Sequence, residues 1–182
     1  MSILNITLAP RTRRGLMVGL AATAAAGSLI SAPAAQAATP KGAQRMVAIA
    51  KSQVGIGERK GASKYGTWYG RSFGKAPWCD MFVSWVARQA GVSGKVGRFA
   101  YTPAHAQWFK SKGRFDRKPR VGDLVFFDWK GSRHISRIDH VGLVTKVNRN
   151  GTVTTVEGNV SDKVMVRTRT MGTIVGFGHP KY

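Results

Sequence analysis

The spacing of apolar residues changes once along this chain, and the change separates a helical first part from a sheet-forming second part. Up to Gly113, apolar side chains recur every three or four positions. From Gly122 onward they fall on every second position or in short β-branched runs. Ala43, Met46, Val47, Ala50 and Val54 follow Thr39-Pro40 at helical spacing, which predicts a first helix ending near Gly55. Phe82, Val83, Val86 and Ala90 follow Cys79 at helical offsets, and Gly91 closes that second helix. Thr102-Pro103 opens a third through Lys110, with Thr as cap, Pro in the first turn and Gly113 as stop. Residues 55–77 are rich in glycine and aromatics and have no period, so they read as a long, ordered loop.

The second part consists of short strands. Leu124–Phe127 follows Gly122-Asp123, and Val141–Val147 is a β-branched run. Asn150-Gly151 is a tight-turn signal that folds Thr152–Glu157 back onto it. Val164–Thr170 alternates, and Ile174–Phe177 is a last short strand. Helices first and antiparallel strands second define an α+β domain of about five strands, with the helices covering one face.

The N-terminus has the order of an export signal. Arg11, Arg13 and Arg14 precede a weakly apolar, Ala- and Gly-rich stretch, and Ala35-Gln36-Ala37 is a small-residue cleavage site. Residues 1–37 are therefore read as a signal peptide, and the Arg13-Arg14 pair points to the twin-arginine route. Residues 38–182 then form a single domain with no second membrane span. Cleavage removes three arginines and no acid, lowering the formal charge from +21 to +18. A domain this basic calls for an anionic partner. Outside the cell that partner is an anionic wall polymer rather than nucleic acid, and no nucleic-acid-binding module is recognisable. A monomer without cofactor is expected.

Export makes the cysteine count informative, because Cys79 is the only one and can form no internal disulfide. It falls in the first turn of its helix after Ala76-Pro77-Trp78, where amide hydrogens and the helix dipole favour a thiolate and could stabilise an oxyanion. A thiol nucleophile also needs a base. His105, on a short surface helix, and His179, beside Pro180, are expected to face solvent, and His134 lies in a basic loop. His140 opens a strand that can aim its ring. Glu157 and Asn159, on the strand folded back onto it, could each accept the ring's other N–H. Asp139 and Asp128 are rivals for that role.

These residues carry a resemblance. "KYGTWYG…APWCDMFVSWVARQAG", "VGDLVFFDW", "DHVGLVTKV" and "TVEGN" resemble the CHAP domain family of cysteine- and histidine-dependent amidohydrolases and peptidases, from about Met46 to Phe177. The resemblance implies a papain-like fold and hydrolysis of amide bonds in peptidoglycan. It implies Cys79 as nucleophile, His140 as base, Glu157 as the residue orienting the histidine and Asn159 as an auxiliary residue. Some members hold calcium in the loop before the cysteine. Here that loop, residues 58–64, has one acid among three bases, and no metal is expected. Of the aromatics before the cysteine, Trp68, Tyr69 and Trp78 are expected to contact an extended glycan or stem peptide. The competing reading is an exported basic protein that binds walls or other polyanions without catalysis.

Overall fold

The computed structural model describes residues 38–182. The export segment assigned to residues 1–37 lies outside them. Five helices come first: α1 (Lys41–Ser52), α2 (Lys64–Tyr69), α3 (Cys79–Gln89), α4 (Ser93–Val96) and α5 (Thr102–Ser111). They are followed by β1 (Phe115–Asp116), β2 (Leu124–Phe127), β3 (His140–Val147), β4 (Val153–Val160), β5 (Lys163–Arg169) and β6 (Ile174–Gly178). The strands form one antiparallel sheet in the order β1-β6-β2-β3-β4-β5. The α+β class read from the apolar spacing is the class observed.

Two differences from the sequence reading have simple causes. The sheet has six strands rather than about five, because the two-residue β1 is too short to show any alternation. The stretch 55–77 is not all loop: it contains α2 and a 3-10 turn at Arg71–Phe73. At six residues α2 is too short for a period, and it is fixed by its ends. The Ser63 hydroxyl accepts the Gly66 N–H at 2.9 Å as its N-cap.

Helix α3 is the centre of the helical layer. Cys79 through Ser84, Val86 and Ala87 are all buried, so the helix is covered on nearly every side. It packs against α1 and α2 and lies on β3 and β4. Gly158 permits the last contact, since a Cβ there would sit 2.6 Å from Phe82 Cβ and 2.8 Å from the Trp78 ring. Gly91 ends the helix segment in a left-handed conformation at φ 69°.

The sheet is apolar on both faces near its middle. Leu124, Phe126, Val141, Leu143 and Val156 face the helices. Val125, Phe127, Val144, Val153, Ile174 and Phe177 form a separate cluster on the other face. This is why β2 and the start of β3 read as continuous apolar runs rather than alternating ones. The register pairs Phe127 with His140 and Leu143 with Val156. The β3–β4 hairpin turns at Asn150-Gly151, with Gly151 at φ 79°. No helix among the described residues is long and apolar enough to cross a membrane.

Candidate active site

Cys79 is the first residue of α3 and is 6% exposed. Its small open surface lies in a cleft of about 430 Å³, bordered by Phe73, Ala76, Pro77, Tyr101 and Asp139. The helix carries it down onto the sheet, where the N–H groups of Val141, of Asp80 and of Cys79 itself point toward the sulfur. The thiol is thus set against the residue that follows His140. No hydrogen bond joins sulfur and imidazole among the described residues. Burial pushes the thiol up to about 12, the Asp80 carboxylate adds to this, and the three amides oppose it without prevailing. The expectation that a helix start would give a thiolate is therefore not met. Desolvation outweighs the amides.

His140, buried at the head of β3, donates from Nε2 to Glu157 Oε2 at 3.0 Å. Glu157 is fully buried on β4 and accepts more than this one bond. The Thr155 hydroxyl reaches Oε1 at 2.5 Å, Arg169 Nε reaches Oε1 at 2.9 Å, and Arg169 Nη2 reaches Oε2 at 2.6 Å. Burial raises the carboxyl's pKa. The bonds from Arg169, then His140 and Thr155, outweigh it and hold the group at about 2. An ionised carboxylate only accepts, so Nε2 carries a proton, and in the neutral ring the lone pair is on Nδ1.

Two features make this arrangement possible. Gly142, the second residue after His140, leaves room for the acid: a Cβ there would stand 2.6 Å from Glu157 Cγ. Arg169 sits on β5 opposite Val153, on the face that Val153, Thr155 and Glu157 share. Arg169 was missed by sequence reasoning. The β5 alternation places Arg167 and Arg169 on one face, but choosing between them requires the β4–β5 register.

Asn159 is half-buried on the irregularity between Glu157 and Val160, at φ 62°. Among the described residues its side chain makes no hydrogen bond, so it is Glu157 that holds the imidazole. Of the rival acids, Asp139 faces the Trp129 amide and Asp128 organises the loop that follows it.

Several positions differ from the sequence reading. Trp78 is fully buried, stacks on Tyr65 at 5.1 Å and donates its indole N–H to Glu58 at 2.9 Å. It is core, not a substrate contact. Trp68 lines a separate cleft with Ser84, Arg88, Ser93 and Arg98, and the Arg98 guanidinium lies 4.3 Å from the Tyr69 ring. The aromatics bordering the Cys79 cleft are Phe73 and Tyr101 instead. His105 is fully buried, with Nδ1 2.6 Å from Asp80 Oδ1 and Nε2 2.7 Å from the Val96 carbonyl. A short amphipathic helix turned it inward onto the acid that follows Cys79. His179 is buried between Asp116 and Asp123 at 2.9 and 3.0 Å. These contacts are close but poorly aligned for hydrogen bonds, so they act as charge contacts. His134, in its basic loop, is exposed.

No group of three or more metal-ligating side chains occurs among the described residues. In the loop where calcium would bind, the Glu58 carboxylate is engaged by the indole, and the remaining charges are basic, so the residues present do not suit a cation.

The family model of the CHAP domain matches residues 68–159, just over half of the 182-residue chain, a span that includes Cys79, His140, Glu157 and Asn159. No curated protein matches the chain. Among solved structures, the peptidoglycan hydrolase RipB from Mycobacterium tuberculosis is similar at 20% identity and a TM-score of 0.50, over 78% of this chain and 66% of its own. The resuscitation-promoting-factor-interacting protein RipA is similar at 19% identity and a TM-score of 0.47, over 82% of this chain and 70% of its own. This chain thus spans just under two thirds of the RipB structure, and the likeness to it is one of fold.

Proposed function

The chain belongs to the CHAP domain family, and on that premise we propose that it is a secreted cysteine hydrolase that cleaves amide bonds in peptidoglycan. The observation that carries this reading is the chain of bonds from Arg169 to Glu157 to His140 Nε2. It fixes the tautomer of a histidine whose neighbouring residue, Val141, turns its amide toward the only thiol in the protein. The fold shared with a peptidoglycan hydrolase supports the substrate class.

In this mechanism the resting thiol is protonated, and proton transfer to His140 Nδ1 is coupled to attack on the substrate carbonyl. The sulfur forms a C–S bond to the acyl carbon while the carbonyl electrons move onto oxygen, giving a tetrahedral adduct that becomes the thioester when those electrons return and expel the amine. The amide hydrogens at the start of α3 stabilise that oxyanion. As the C–N bond breaks, the imidazolium returns its proton to the leaving amine. Water, deprotonated by the same nitrogen, then frees the acyl group and restores the thiol. Glu157 keeps the ring oriented and offsets its charge. Asn159, on the adjoining bulge with no side-chain bond to the described residues, serves as an auxiliary contact near the ring.

Export through the signal at residues 1–37 would deliver the enzyme outside the membrane. Its excess positive charge would hold it on anionic wall polymers, so wall binding should weaken as ionic strength rises. The deciding experiment is mass spectrometry of fragments released from purified walls by the wild-type protein and by Cys79→Ala. New termini at one amide bond, absent with the variant, are the expected result. Release at the wild-type rate by Cys79→Ala would overturn the proposal.

A further inference from the structure

Trp129 follows β2 and keeps 44% of its surface exposed, although nothing about its setting is loose. Its indole stacks on Phe127 at 4.9 Å and 16°, and the Arg169 guanidinium lies 4.8 Å from the ring. The following loop is pinned by Asp128, whose carboxylate accepts from the Lys130 amide at 2.9 Å and the Ser132 amide at 2.8 Å, and also from the Ser132 hydroxyl. The Trp129 amide faces both oxygens of Asp139 at 3.3 Å, and Asp139 borders the Cys79 cleft. The indole is 5.3 Å from the imidazole of His140. A large apolar ring is therefore built rigidly beside the general base and left open to solvent, next to the cleft that holds the thiol.

The chemistry gives this position a meaning. The acyl part of the substrate must lie over the sulfur, in the cleft lined by Phe73, Ala76, Pro77 and Tyr101. The departing amine must pass the imidazole, which protonates it. The first residue on the amine side thus comes beside Trp129. We propose that Trp129 is a specificity-determining residue for the leaving-group side, favouring an amine-side residue with an aliphatic side chain over glycine. The inference rests on the hydrolase reading above. Covering the indole with an aliphatic stem removes apolar surface on both partners from water, a gain that glycine cannot supply. An indole already held by Phe127 and Arg169 loses little freedom in making the contact.

The test uses peptides with a common acyl side and glycine, alanine or a longer aliphatic residue on the amine side. The wild-type protein, Trp129→Ala and Trp129→Phe are compared by kcat/KM, and the rate at which iodoacetamide alkylates Cys79 is measured for each. Trp129→Ala is expected to lose roughly tenfold more on the aliphatic members than on glycine, and Trp129→Phe to keep most of the preference. An equal loss across the series, or none, overturns the proposal. So does a fall in alkylation rate that parallels the loss of turnover, which would mean that the indole acts through the thiol–imidazole pair. Wild-type protein that cleaves no member of the series and releases nothing from walls overturns the hydrolase reading and this subsite together. Wild-type turnover with an unchanged Trp129→Ala profile overturns the subsite alone.

Discussion

Arg169 and Glu157 form a two-bonded ion pair, Nε to Oε1 at 2.9 Å and Nη2 to Oε2 at 2.6 Å, with the carboxylate fully enclosed. The guanidinium fork matches the carboxylate in a way one ammonium does not. Arg169→Ala leaves a buried charge with only His140 and Thr155 as partners. The expected cost is about 3 kcal/mol, the low end for a broken buried pair because the arginine is 23% exposed. Arg169→Lys should fall between wild type and alanine. Urea unfolding midpoints measure the effect, and wild-type stability in Arg169→Ala would show that the pair is not the anchor described here.

The same pair sets an acid limit. Glu157 titrates at about 2 in the folded protein, below its ordinary value of 4.5. Its contribution to stability is therefore complete above about pH 4.5 and is lost as the pH falls toward 2. The whole difference amounts to roughly 3 kcal/mol. Glu157→Gln should be less stable at neutral pH and should flatten the melting-temperature profile between those two pH values. Parallel profiles for the two proteins would remove Glu157 from the account of acid unfolding.

Gly142 should be more critical than an unremarkable β-strand glycine. Its backbone is not in a left-handed conformation, so the constraint is space alone: a methyl group would stand 2.6 Å from Glu157 Cγ. Gly142→Ala should lose about 1–3 kcal/mol from overpacking, while turnover falls at least tenfold as the acid is pushed off the imidazole. Activity and melting temperature measured on one preparation separate these effects. Full turnover would mean that the glycine does not position Glu157.

Much of this arrangement was legible in the sequence because it rests on local pattern. The helical offsets after Cys79, the strand opened by His140 and the Asn150-Gly151 turn each show within a dozen residues, and together they bring β4 back beside β3. The choice of Glu157 over Asn159 as ring partner came from the family resemblance and was not legible in the local pattern, because it depends on the exact register and on the bulge at Gly158-Asn159. Arg169 lies a further strand away and is identified only by pairing across β4–β5. Trp78 is expected from the sequence at the substrate together with Trp68 and Tyr69, since composition cannot tell a ring that fills the core beneath α3 from one nearer the surface. His105 was misplaced for a related reason. Its helix has polar neighbours, and the acid that draws it inward is on another helix.

The buried contact of His105 with Asp80 supports the helix that carries the thiol. Both ring nitrogens face acceptors, Asp80 Oδ1 at 2.6 Å and the Val96 carbonyl at 2.7 Å, and the ring lies 4.3 Å from Phe99 and 5.3 Å from Phe109. His105→Ala removes both bonds, opens a cavity and strands a carboxylate whose Oδ2 already lacks a partner. A loss of about 3–5 kcal/mol is expected, measured by chemical denaturation. A loss below about 1 kcal/mol would show that water or a rearranged side chain satisfies Asp80 without the imidazole.

The reactivity of Cys79 should report its surroundings directly. Only the thiolate is alkylated, and burial, with help from Asp80, pushes this thiol up to about 12. In the unliganded protein the alkylation rate at neutral pH should therefore be well below that of a free thiol, rising about tenfold per pH unit toward 12. Asp80→Asn removes the neighbouring negative charge while its amide oxygen still accepts the His105 Nδ1–H. That change lowers the thiol's pKa, so alkylation at any pH below 12 should be faster than in the wild type. Equal rates in the wild type and Asp80→Asn would mean that access to the cleft, and not ionisation, limits the reaction. Labelling of the wild type only after unfolding would mean that the cleft does not admit even a small electrophile, and the chain would then be a cationic wall-binding protein with a buried thiol.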